Sequence, residues 1–216
     1  MAGYLVQSLG AGNWPALEEL FGRSGASNGC WCAYWRIGPR YRDRPREDNR
    51  GDLRLLAESG QPGGLLAFTP LVAESVVKDN PARGSAVPES ALADGAGPQA
   101  GAAAVGWCSL APRADLGWLA HARYLRPVDD VPAWSIPCFY IRRDHRGRGV
   151  TDALIAAALD VAASAGAPAL EAYPVDTEVP GHSRNAFTGT AATFARHGFR
   201  VVARGKPDRP IMRRVF

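Results

Sequence analysis

The stretch Phe139 to Gly166, FYIRRDHRGRGVTDALIAAALDVAASAG, decides the fold. It opens on a short apolar run, passes through a loop rich in arginine and glycine, and enters a long alanine-rich segment. In that segment Leu154, Ala157, Ala158 and Val161 recur at helical spacing, which predicts a helix from about Val150 to Ala165 with Gly166 as its left-handed stop. A loop that leaves a strand and opens a helix aims several backbone N–H groups one way, and the helix dipole reinforces them. Such a site suits an anion, phosphate above all. Gly147 and Gly149 let a ligand approach the backbone, and Arg146 and Arg148 add positive charge. The loop has no lysine for a P-loop, and Asp152 stands where a dinucleotide fingerprint needs its third glycine.

Outward from this stretch the chain alternates strands and helices. Upstream, GYLVQSL reads as a strand, NWPALEELFG as a helix capped by Asn13, and Glu47 to Ser59 as a second helix. GLLAFT and AVGWCSLAP read as two strands separated by an insertion over about 69–101, whose PESALADGAGPQAGAAA is too poor in large apolar residues to build a core. A short helix is expected around Trp118 to Tyr124. Downstream, PALEAYPV is a strand, AATFARHG a shorter helix, and FRVVAR with RPIMRRVF a terminal strand pair. Strand, glycine loop, helix, strand is a βαβ crossover that implies parallel neighbours, whereas the earlier strands favour antiparallel pairing. The expected fold is α/β: one mixed central sheet flanked by helices, in a single domain spanning 1–216 with the insertion as a mobile loop.

Composition narrows the function classes. The 216 residues are 46% hydrophobic with no apolar run long enough to cross a membrane and no secretory signal at the start, so a cytoplasmic protein is expected. The net charge of +4 comes from arginines scattered among carboxylates, so no basic stripe forms and nucleic acid is not an expected partner. Four cysteines, Cys30, Cys32, Cys108 and Cys138, form neither a disulfide framework nor a zinc pattern, and no metal is expected.

The string FYIRRDHRGRGVTDAL resembles the acetyl-coenzyme A (acetyl-CoA) signature of the GNAT N-acetyltransferase superfamily, a strand followed by Q/R-x-x-G-x-G/A. Arg146, Gly149 and Thr151 fill its named positions, the last departing from Gly or Ala. FARHGF resembles the superfamily's late YxxxGF element, with Phe194 at the Tyr position. CWCAYWR, PVDDVPAWS and AYPVD are similar to an uncharacterised branch. The resemblance implies acetyl-CoA as co-substrate, its pantetheine arm along Phe139, Tyr140 and Ile141, and its pyrophosphate on Arg146, Gly147, Arg148, Gly149, Val150 and Thr151.

The implied activity is direct transfer of an acetyl group to the amine of a small molecule. A protein or peptide acetyltransferase and a catalytically weak acyl-CoA-binding sensor stay open as alternatives, as does a homodimer. Phe194 has no proton for the departing thiolate, so other groups are candidates. Glu171 and Tyr173 share parity on one strand and face one side of the sheet. Glu171 is read as a base or an ion-paired glutamate, Tyr173 as an acid or a packed ring. Cys138 lies beside the implied thioester and is weighed as a nucleophile. Trp31, Tyr34 and Trp35 are expected to wall the acceptor site against an apolar or cationic group, with Asp129 and Asp130 binding an amine or capping a turn.

Overall fold

Apolar residues at alternating or continuous spacing set the strands, and the computed structural model describes residues 3–69 and 102–216. In chain order the strands are β1 (Leu5–Ser8), β2 (Gly64–Phe68), β3 (Ala104–Ser109), β4 (Ala111–Pro112), β5 (Trp134–Ile136), β6 (Phe139–Ile141), β7 (Ala169–Ala172), β8 (Arg200–Lys206) and β9 (Arg209–Val215). The helices are α1 (Trp14–Phe21), α2 (Tyr34–Ile37), α3 (Arg46–Glu58), α4 (Val150–Ser164) and α5 (Ala191–Arg196). Around Trp118 to Tyr124 the chain forms two 3-10 turns, Gly117–Ala120 and Arg123–Leu125, instead of the expected short helix. Apart from Thr69, the expected insertion lies outside the described residues.

The strands form two sheets, β1-β2-β3-β6 and β4-β5-β7-β9-β8. They meet along two broken strands: β3 continues into β4 past Leu110, and β5 continues into β6 past Pro137 and Cys138. Pro137 has no N–H for a ladder, so the strand changes partner there. Before the break, β5 runs parallel to β7, with Ser135 opposite Glu171 and Ile136 opposite Ala172. After it, β6 pairs antiparallel with β3 and is the edge of its sheet. The two sheets therefore part between β6 and the end of β7, leaving a wedge. The expectation of one mixed sheet is refined to a mixed sheet split by a proline.

Both faces of the first sheet are covered. On one, Leu154, Ile155, Ala158 and Ala162 of α4 pack on Leu65, Ala67, Val105 and Cys108. On the other, Leu17 and Phe21 of α1 and Leu53 and Ala57 of α3 pack on Leu66, Phe68 and Trp107. The buried stripe of α4 is rotated from the expected one: Ala157 and Val161 are half-buried at its margin. Gly106 permits the close approach, since a Cβ there would stand 2.4 Å from Val150 Cγ1. The first residue of α4 thus presses on the middle of β3, which fixes the glycine loop just outside the end of β6.

Candidate active site

Strand alternation decides which backbone groups face the wedge. Ser109 N–H donates to the Cys138 carbonyl at 3.0 Å and Arg142 N–H to the Val105 carbonyl at 2.9 Å. In that register Tyr140 spends its backbone groups on β3, whereas those of Phe139 and Ile141 turn toward the opening. Two are engaged: Phe139 N–H donates to the Phe187 carbonyl at 2.6 Å, and Arg146 Nε donates to the Ile141 carbonyl at 3.2 Å. The Ile141 N–H and Phe139 carbonyl point into the wedge.

At the far end of β6 a 3-10 turn, Arg143–His145, leads into the loop. Gly147 and Gly149 hold φ of 70° and 84°, and a Cβ at either would meet nothing within 4 Å. Gly149 caps the 15-residue α4, so the first N–H groups of that helix face the same open space. Asp152, in the first turn, would repel an anion but is paired by Arg196 at 2.9 Å and His197 at 3.1 Å. Burial pushes its carboxyl up, yet these two partners outweigh burial and hold it below the usual carboxylate range.

Where the wedge closes, a cavity of about 590 Å³ opens on the side of β6 that faces α1 and α2. Its walls include Tyr34, Trp35, Tyr41, Tyr124, Tyr140 and Tyr173, and its floor includes Cys32 and Cys138. The connector from Gly22 to Tyr41 supplies most of one wall, and it is held rigidly. Buried Asn49 of α3 donates through Nδ2 to the Gly29 carbonyl at 2.9 Å and the Tyr41 carbonyl at 2.8 Å. A Cβ at Gly25 would stand 2.3 Å from Trp31 Nε1, so that indole packs directly on the backbone.

Behind Tyr173 lies a buried ionic cluster. Glu171, 1% exposed, accepts from Arg113 at 3.0 Å on one oxygen and from Arg213 Nη2 at 2.7 Å on the other. Tyr173 OH bonds Ser135 Oγ at 2.8 Å and Glu171 at 3.1 Å, and also meets Arg113. Burial first, and the Glu171 charge second, push the Tyr173 hydroxyl well above its usual range, so it stays a phenol. Arg213 also forks onto Asp129, at 2.6 and 2.9 Å.

The structure brings together some of the expected residues and separates others. Tyr34, Trp35, Cys138, Phe139, Tyr140 and Tyr173 meet on the cavity. Trp31 does not: it is buried against Trp14 and Phe21, with ring centroids 5.9 and 5.4 Å away, because its aromatic surface is worth more in the core. Asp129 is the partner of Arg213, and Asp130 is exposed outside the cavity lining, so neither receives an amine there. Glu171 is an arginine-clamped carboxylate, not a free base, because two guanidinium groups occupy both its oxygens. Ile141 packs on the α4 side, away from the cavity. Sequence reasoning missed Arg113, Arg213 and the loop residues Asn185, Phe187 and Thr188. Arg213, a charge inside the apolar run RPIMRRVF, was the one visible signal.

A split sheet with a strand edge facing the wedge and a helix N-terminus at its mouth is the architecture of an α/β protein with an anion-binding crevice at its strand ends. Residues 67–188 match the acetyltransferase (GNAT) family, and the chain belongs to that family. The family transfers acyl groups from acetyl-CoA, which is the co-substrate here. Comparison with curated proteins finds no match. Among solved structures, a GCN5-related N-acetyltransferase from Kribbella flavida is 17% identical, with 99% of this chain and 98% of that one covered and a TM-score of 0.51. A GNAT-family acetyltransferase from Listeria monocytogenes gives 11%, 100% and 98%, and 0.52. The PaiA N-acetyltransferase from Thermoplasma acidophilum, in complex with coenzyme A, gives 12%, 99% and 99%, and 0.50. At these identities the likeness is one of fold. The residues present suit the donor at its phosphate end, where the open glycines and helix terminus form an anion cradle. At the thioester end the Phe139 N–H is engaged by Phe187.

Proposed function

We propose that this single-domain chain is a cytoplasmic enzyme that transfers the acetyl group of acetyl-CoA directly to the amine of a small molecule. The observation that carries this reading is the 590 Å³ aromatic cavity beside β6: its volume suits a small metabolite, whereas a protein side chain would need an open groove. Among the described residues its lining includes Arg42 and Arg209 and no carboxylate. An amine that also bears an acidic group fits this charge. Two guanidinium groups disfavour an ammonium, so the amine reaches the thioester in its neutral, nucleophilic form.

The bound donor supplies an activated acetyl group and a thiolate leaving group. Backbone N–H groups from Arg146 to Thr151 hold its phosphates, and the wedge-facing groups of Phe139 and Ile141 hold its arm. Phe139 N–H exchanges the Phe187 carbonyl for the acyl oxygen and polarises it. Phe194 is fully buried against Phe139 and Phe199 and has no proton to give. Tyr173 lines the cavity and keeps its proton; its hydroxyl donates to Glu171 in this arrangement, so delivering the proton to the thiolate requires that bond to open, with Glu171 and Arg113 as its positioning residues.

A second reading, an acyl-CoA-binding sensor, is favoured by Phe194 and by the Phe187 carbonyl on the Phe139 N–H. Calorimetric titration with acetyl-CoA, followed by a free-thiol release screen over amines with and without acidic groups, separates the two. Binding with thiol release on acidic amines is expected. Binding without release on any panel favours the sensor, and absence of binding overturns both.

A further inference from the structure

Three of the chain's cysteines, Cys30, Cys32 and Cys138, line the acceptor cavity, and two of them meet. Cys32 Sγ stands 3.7 Å from Cys138 Sγ across 106 positions of sequence. Trp107 Nε1 donates to Cys32 Sγ at 3.0 Å, and one thiol proton lies between the Cys32 and Cys138 sulfurs. Cys138 is half-buried on the cavity wall, within reach of a small solute, while Cys32 is buried beneath it. The backbone is strained to achieve this. Trp31 and Cys32 hold φ of 43° and 56°, a left-handed conformation that residues with a Cβ rarely adopt and that persists only where the surroundings enforce it. The Trp31 ring wedged on Gly25 and the Asn49 bond to the Gly29 carbonyl supply that enforcement. Acetyl transfer has no task for Cys32.

We propose that Cys32 and Cys138 are a redox-active pair that closes into an intramolecular disulfide when a hydroperoxide enters the acceptor cavity. The Cys138 sulfur attacks the terminal peroxide oxygen; the S–O bond forms, the O–O bond breaks, and the alkoxide or hydroxide leaves with the thiol proton as alcohol or water. The Cys32 sulfur then attacks the Cys138 sulfur; the S–S bond forms, the S–O bond breaks, and the hydroxyl leaves as water with the Cys32 proton. Two thiols lose two electrons in all, and the peroxide gains them. Cys32 suits the second role by position: its sulfur already touches Cys138 Sγ, and although that contact and burial push its thiol up, the proton leaves as the S–S bond forms. The other thiols are poor competitors. Cys30 lines the cavity but it is Cys32 whose sulfur contacts Cys138, and Cys108 is fully buried on the α4 face of β3, opposite Trp107. The disulfide would pin the cavity-lining connector to the strand one residue before Phe139. Only this consequence, narrower acceptor access, rests on the proposed transferase.

The test uses the full chain treated with stoichiometric hydrogen peroxide, blocked with N-ethylmaleimide and digested with trypsin. The peptide 24–36 is expected joined to 124–142, with a mass two hydrogens below their sum plus one N-ethylmaleimide, carried by the free Cys30. The link is expected to vanish with dithiothreitol, to persist in Cys30→Ser, and to be lost in Cys138→Ser, a half-buried position that tolerates the change. A link through Cys30, over-oxidation of Cys138 without a link, or unmodified thiols overturns the proposal. The assay needs no acetyl transfer, so its failure is distinct from failure of the proposed function.

Discussion

The glycine loop and the acceptor cavity lie at the two ends of one short strand, β6, and are built in opposite ways. The loop is six consecutive residues, Arg146 to Thr151, whose working groups are backbone N–H on open glycines. The cavity draws on seven separate stretches of chain, from Ala26 to Arg209, and works through side chains. A backbone site needs only the spacing that sets the turn, so any phosphate-bearing donor of one shape is served by one local pattern. A side-chain site depends on what holds each wall in place. On the proposed function, the donor end is thus local and replaceable in one step, and the acceptor end is distributed.

The contrast is sharpest where the two ends are disturbed separately. The largest effect is expected from Glu171→Gln, which leaves Arg113 and Arg213 facing a neutral amide behind the cavity. Breaking a buried pair of this kind costs about 3–5 kcal/mol. Denaturant unfolding should read that loss while acetyl-CoA affinity of the folded protein stays unchanged; unchanged stability would show that the clamp contributes nothing net. At the donor end, Gly149→Trp should leave the fold intact, since a Cβ there meets nothing, and weaken acetyl-CoA binding in calorimetry. The indole over the anion cradle and the lost phosphate contacts predict roughly 100-fold weaker binding, whereas backbone strain of about 1–2 kcal/mol in the left-handed region lowers the stability of free and bound protein alike. Equal affinity would break the phosphate-loop assignment.

A smaller effect is expected from Arg209→Met. The KM for an acidic amine acceptor should rise about tenfold with kcat little changed, the loss of one charge-assisted contact. Arg209 also ties down Thr188 at 2.7 Å and the Asn185 carbonyl at 2.9 Å, so acetyl-CoA affinity checks whether the Phe187 segment has loosened. The smallest concerns pH. Cys30 ionises near 11 in the folded chain against an ordinary value of 9.0. Its folded pKa is raised, so its contribution to stability is full below pH 9 and lost as pH rises toward 11. Urea midpoints measured from pH 8 to 11 should fall across that window, less steeply in Cys30→Ser.

Legibility followed the same divide. The βαβ crossover, α4 and its glycine entry were visible because periodicity and glycine spacing are local properties of FYIRRDHRGRGVTDAL. The placement of Glu171 and Tyr173 on one face was legible too, since parity along a strand is fixed by the pleat, and their oxygens do meet at 3.1 Å. What they do there was not legible, because Arg113 and Arg213 arrive from 58 and 42 positions away. Trp31 and Trp35 lie in one motif yet diverge, one to the core and one to the cavity, through the left-handed turn at Trp31 and Cys32. Composition gives no sign of such a turn in non-glycine residues.

The sequence by itself determined the main strands and helices, the glycine loop between β6 and α4, and the family, all consequences of short-range chemistry along the chain. Tertiary structure alone decided that Pro137 hands one strand from sheet to sheet, that two arginines hold Glu171, and that Cys32 and Cys138 touch. These depend on groups brought together across 42 to 106 positions of sequence. Distances of that kind are set by how helices and sheets pack, and packing is a property of the whole core at once.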